Sequence, residues 1–176
     1  MTVTLGVRNT SRVKGCCRAD KLRRLAGGIC EGEGIGDDVE ISVLLCDDAE
    51  IQELNRSFRR QNRPTDVLSF GQDQAAPGLV SRVRPAVLGD IVISLETVRH
   101  RCKGDMAAMR QEVCLLFCHG LLHLLGYDHA TAEQRRNMAA KQAQYLGLSL
   151  EEAWLNEPQR RTPRPKRGEG RQSIGR

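Results

Sequence analysis

Apolar and polar positions alternate in two rhythms along this chain. In VEISVLL (residues 39–45) every second position is apolar, the period of a half-buried strand. VTLGV (residues 3–7), DVLSFG after the Pro64 turn, and AVLGDIVIS (Ala86–Ser94) read as further strands. Between them the apolar spacing lengthens to three and four. Leu22, Leu25, Ala26 and Ile29 mark a helix over residues 18–29 that stops at the glycine-rich GEGIG. Asp47 or Asp48 is the N-cap candidate for a helix AEIQELNRSFRR. A helix follows over residues 95–103. Asp105 then caps a long helix that runs through Leu125 and closes at Gly126. A last helix is expected over Ala132–Leu146, and residues 72–85 read as loop. This order predicts an α/β fold: a single domain with a sheet of about four strands and surrounding helices.

Length agrees with one domain, and 176 residues can bury a core without disulfides. No stretch of some 18 apolar residues is present, and the N-terminus lacks a charged head followed by an apolar block, so neither a membrane span nor a secretory signal is expected. The seven scattered cysteines are an odd number, which suits free thiols and a cytoplasmic location.

Charge divides the chain. Its first 156 residues hold twenty basic and twenty acidic side chains. Residues 157–176 hold seven basic and two acidic, and so carry the whole net charge of +5. The expected organisation is therefore a functional domain over 1–156 and a basic, disordered tail over 157–176, rich in Arg, Pro and Gly. The tail is either a solvated extension or a loose phosphate-binding arm.

Three of the four histidines fall within HGLLHLLGYDH, residues 119–129. His119 and His123 are four apart and share one helix face, so the central helix offers two metal ligands. Gly126 ends the helix, and the chain can fold back to bring His129 to the same point. The surrounding leucines bury this helix, and two imidazoles there are costly without partners. A metal ion supplies both with one. Three imidazoles leave a fourth tetrahedral position open, the form of a catalytic zinc site; nickel, cobalt, copper and iron are alternatives. Cys114 and Cys118 point about 140° and 100° away from His119 and read as core. His100 reads as a surface residue. Asp128 is the candidate for holding a ligand ring and, with water, for moving a proton. The spacing matches three-histidine proteases, which need a glutamate after the first histidine. Here that position is Gly120, which is expected to leave room beside the metal.

The segment NRSFRRQNRPTDVLSF carries four arginines before its first acid, Asp66. Arg56, Arg60 and Arg63 read as a solvated face. Spacing alone does not assign Arg59, though a guanidinium in such a cluster suits phosphate through its paired N–H donors. A second basic cluster over residues 8–24 could extend a nucleic-acid footprint. Aromatic residues make up only 3%, so phosphate contacts rather than stacking would dominate.

HGLLHLLGYDH, together with LNRSFRRQNRPTDVLSF and LGDIVIS, resembles the YbeY family of endoribonucleases over roughly residues 1–156. The resemblance implies one Zn2+ per chain on His119, His123 and His129, with Arg59 and His119 as catalytic residues. It implies single-strand-specific cleavage in 16S ribosomal RNA 3′-end maturation and ribosome quality control, through a zinc-activated water or a zinc-polarised phosphate. Implied partners are ribosomal RNA, the small ribosomal subunit and assembly factors such as the Era GTPase. Gly71 departs from the proline usual after this strand. Two other functions fit the histidines: a zinc metallopeptidase, and a non-catalytic zinc-stabilised ribosome-binding module.

Overall fold

The computed structural model describes residues 2–71 and 85–154. The expected tail over 157–176 and nearly all of the expected loop over 72–85 lie outside these residues. In chain order the elements are β1 (Val3–Asn9), α1 (Ala19–Gly32), β2 (Val39–Cys46), α2 (Asp48–Arg59), β3 (Val67–Gly71), β4 (Ala86–Ser94), α3 (Leu95–Arg101), α4 (Met106–Leu124), α5 (Ala132–Leu146) and α6 (Leu150–Trp154). The α/β expectation holds, with a sheet of four strands in the order β1-β2-β4-β3. β1, β2 and β4 run parallel, and β3 pairs antiparallel with β4 as an edge strand.

The alternation in β2 sorts its side chains between two layers. Ile41, Val43 and Leu45 join Ile91 and Ile93 of β4 beneath α1 and α4, where Leu22, Phe117, Leu121 and Leu122 complete the main core. On the opposite face Cys46 and Val92 pack with Leu68 and with Ile51 of α2. α4 is buried almost all round, which its leucine-rich sequence requires. Its first turn is held by Asp105, whose carboxylate accepts from the backbone N–H of Ala107 at 2.7 Å and Ala108 at 3.1 Å.

Two details differ from expectation. Asp47 occupies the N-cap of α2, yet its carboxylate does not cap: Ser11 and Arg12 take it. Asp48 accepts instead from Ser94 Oγ and Thr97 Oγ1, tying α2 to the start of α3. The second difference is α6, which sequence periodicity did not reveal because it spans five residues. Ser149 and Glu152 satisfy each other's backbone N–H across its first turn.

Candidate metal centre

His119 and His123 project from one face of α4. Gly126, at φ +92°, turns the chain out of the helix and lets His129 return toward them. One ring nitrogen from each of the three histidines lies within 4.8 Å of the others. Cys114 and Cys118 are buried in the core and His100 is exposed on α3, as expected.

The hydrogen bonds behind the rings decide which nitrogens face one another. His123 Nδ1 lies 2.9 Å from the Tyr127 carbonyl, which can only accept, so Nδ1 carries the hydrogen. His119 Nδ1 donates to Gln142 Oε1 at 3.0 Å, and the amide's orientation is set by Gln142 Nε2 donating to the Ala153 carbonyl at 2.9 Å. Burial pushes the His119 imidazole below its ordinary range. Burial, then the neighbouring His119 and His129, pushes His123 down to about 4. Both rings are therefore neutral at pH 7, and their Nε2 atoms, each with a lone pair and no hydrogen, stand 3.1 Å apart. Two acceptors so close repel unless a cation binds both. Tetrahedral zinc bound by imidazoles at about 2.0–2.1 Å would set its ligand nitrogens roughly 3.3 Å apart. The donor set fits such an ion.

Asp128, the candidate ring holder, is engaged with the backbone. Its Oδ1 accepts from the backbone N–H of His129 at 2.7 Å, while the His119 and His123 rings are held by Gln142 and the Tyr127 carbonyl. Gln142 left one trace in the sequence: it is a polar residue on the α5 face that buries Met138, Ala139 and Ala143. Tyr127 is itself anchored, its hydroxyl donating to Glu33 Oε2 at 2.6 Å. Glu33 also takes the Lys141 ammonium at 2.8 Å and the Tyr145 hydroxyl. Burial alone would raise the Glu33 carboxyl, but these three donors outweigh it and hold the carboxyl below its usual range.

Gly120 corrects another expectation. It leaves no room beside the histidines. A Cβ there would stand 2.9 Å from Ile91 Cγ2 and 3.1 Å from Ser69 Oγ. The residue is buried against the sheet, and its lack of a side chain lets α4 approach β3 and β4. A glutamate at this position would collide with the sheet.

The histidines open onto a cleft of about 1440 Å³ bounded by α2, β3 and α5. Arg59, the last residue of α2, lines the same cleft and donates from Nη2 to the Ser69 carbonyl at 3.2 Å. Arg63 lines it too while remaining exposed, and Arg56 pairs with Glu53. None of the basic residues of segment 8–24 lines the cleft, and several are paired with acids: Arg12 with Asp47 and Glu96, Arg18 and Arg24 with Asp20. The sequence reading missed Arg101 and Arg135 as cleft residues. Arg101 donates to Asp66 at 2.7 Å and to Glu112, whose carboxyl is pushed up by burial. Its charge is thus used to join α3, β3 and α4 under the cleft wall.

With this geometry in view, comparison with known proteins is specific. The family model described as Endoribonuclease YbeY matches residues 10–148. The chain belongs to the YbeY endoribonuclease family. Endoribonuclease YbeY of Pelotomaculum thermopropionicum is 40% identical over 126 residues, covering 72% of this chain and 82% of that protein. The Bacillus subtilis protein of the same name is 38% identical over 119 residues, 66% of this chain and 76% of its own length. Among solved structures, the solution structure of TM1509 from Thermotoga maritima is 31% identical with a TM-score of 0.53, covering 92% of this chain and 99% of that one. The YbeY match takes in all three histidines and Arg59 but stops before α6. Among the described residues no helix is long and apolar enough to cross a membrane.

Proposed function

We propose that this chain is a metal-dependent endoribonuclease that cuts single-stranded RNA, with one Zn2+ held by His119, His123 and His129. The observation that carries the metal is the pair of hydrogen-free Nε2 acceptors 3.1 Å apart, an arrangement a cation resolves. When bound, such an ion supplies Lewis acidity, polarising a phosphoryl oxygen or making water nucleophilic near neutral pH.

The chain's own residues supply the rest. Gln142 and the Tyr127 carbonyl hold the two helix imidazoles with their lone pairs toward the cleft. Arg59 stands at the cleft wall with one Nη tied to Ser69, leaving further guanidinium donors for a phosphodiester and for the charge that grows on it in the transition state. Asp128 lines the cleft on an exposed residue beside His129 and is a group able to take or give a proton there.

In this reading the substrate is ribosomal RNA, the task is 16S 3′-end maturation and ribosome quality control, and the small subunit and Era-type assembly GTPases present the RNA in the cytoplasm. The domain spans 1–156, and the basic 157–176 tail adds sequence-independent phosphate contacts. Peptidase chemistry is disfavoured by Gly120, where packing leaves no space for a glutamate base. A non-catalytic zinc module is disfavoured by the open cleft in front of the histidines. The test is a panel of single-stranded RNA, structured RNA and unfolded protein, each with and without chelator. Chelator-sensitive cutting of single-stranded RNA alone is expected. Proteolysis, or no turnover of any substrate by the zinc-loaded chain, would refute the reading.

A further inference from the structure

Gln142 is buried, with only 3% of its surface exposed, and both ends of its side chain are in use. Oε1 accepts from His119 Nδ1, and Nε2 donates to the carbonyl of Ala153 in α6. The two ends of a carboxamide are not interchangeable here. A carbonyl can only accept, so docked α6 forces the NH2 group toward itself and the oxygen toward His119. Without Ala153 the amide is free to turn. An NH2 facing His119 would require Nδ1 to accept, which moves the ring hydrogen to Nε2 and removes the lone pair that a metal needs.

α6 is a short element with few ties of its own. It is five residues long, holds its start through the Ser149–Glu152 pair, and buries Ala153 against α5. It also lies beyond residues 10–148, the segment matched to the YbeY family.

We infer that Gln142 is a positioning residue that couples metal capture by His119 to docking of α6. The inference rests on the three-histidine metal reading above. The coupling is reciprocal by linkage: docked α6 selects the tautomer that binds metal, and bound metal holds α6 down.

Zinc alone is the probe. Zinc affinity is measured by competition with a chromogenic chelator, and hydrogen exchange of residues 149–154 is followed with and without zinc. In the unaltered chain zinc should slow exchange in α6. Gln142→Leu removes both bonds: affinity should fall by about 10- to 100-fold, the usual effect of losing a group that orients a ligand ring, and zinc should no longer protect α6. Gln142→Glu separates the two ends. Its carboxylate still accepts from His119 Nδ1 but cannot donate to Ala153, so zinc affinity should persist while the zinc-dependent protection of α6 disappears. This variant decides the matter alone if Gln142→Leu does not fold. Unchanged affinity in folded Gln142→Leu, or zinc-dependent protection of α6 that survives in Gln142→Glu, would overturn the coupling. An unaltered chain that binds no zinc would instead overturn the metal reading, and this inference with it.

Discussion

The Nε2 atoms of His119 and His123 stand 3.1 Å apart, and the hydrogens of both rings are engaged elsewhere, on Gln142 and the Tyr127 carbonyl. Neutral imidazoles placed this way form an acceptor pair without a donor. Removing either ring by His119→Ala or His123→Ala should abolish zinc retention after dialysis and with it RNA cleavage. Atomic absorption on the purified variants checks the first, and a gel assay the second.

The same burial makes the metal-free chain acid-sensitive. His123 falls from its ordinary value of 6.5 to about 4 in the fold, so between these values the unfolded chain binds the proton better. Stability of the metal-free chain should therefore rise with pH through this window, be fully present above about 6.5, and be lost as pH falls toward 4. Zinc affinity should weaken in the same direction, since protons compete for the ligand nitrogens. Urea midpoints at several pH values check this, with a flatter profile expected for His123→Ala. Glu33 acts with the same sign at lower pH, because a carboxyl held below its usual range loses its contribution when protonated.

Gly120→Ala forces a Cβ to within 2.9 Å of Ile91 Cγ2 and 3.1 Å of Ser69 Oγ. Overpacking of this kind costs about 1–3 kcal/mol. Gly120→Glu should not fold stably, so the protease-type base cannot be restored by one substitution. Chemical denaturation of the two variants measures this.

Arg59→Ala should lower kcat by about a hundredfold or more, the scale of losing a donor to transition-state charge, while leaving zinc content and melting temperature near those of the unaltered chain. Arg59→Lys should rescue only partly, since lysine keeps the charge but not the paired donors. Arg101→Ala should behave oppositely: it leaves Asp66 and buried Glu112 without their shared cation, and stability falls by roughly 3–5 kcal/mol, less any relief from protonating Glu112.

Tyr127→Phe removes the hydroxyl that ties the histidine loop to Glu33. An acceptor left short of a donor costs roughly 1–3 kcal/mol, here softened because Lys141 and Tyr145 remain on the carboxylate. A lowered thermal midpoint and weaker zinc binding are expected together, because the same residue's carbonyl holds His123.

What could be read from the chain alone follows the range of the interaction. β2 announced itself through its alternation and α4 through the Asp105 cap and the Gly126 stop, and the histidine spacing used one helix and its exit, so these were legible. α6 was not, since five residues carry no period. Gln142 was missed because its partners are 23 residues back and 11 residues on. Gly120 was half legible: the missing base could be seen in the sequence, but the reason for the glycine is Ile91 on a strand packed against it. Asp128 was legible as a partner of the histidine loop from its adjacency to His129, but the contact to the His129 backbone N–H was not.

If a metal at the three histidines drives RNA cleavage, removing it must remove the activity. The most direct measurement strips the full-length chain of metal, titrates zinc back, and records bound zinc and single-stranded RNA cleavage in the same samples. Cleavage should be absent in the stripped chain, rise in proportion to bound zinc, and saturate at one ion per chain, with neither binding nor cleavage in His123→Ala. Undiminished cleavage by the stripped chain, or by a His123→Ala protein that holds no zinc, would contradict that role for the metal.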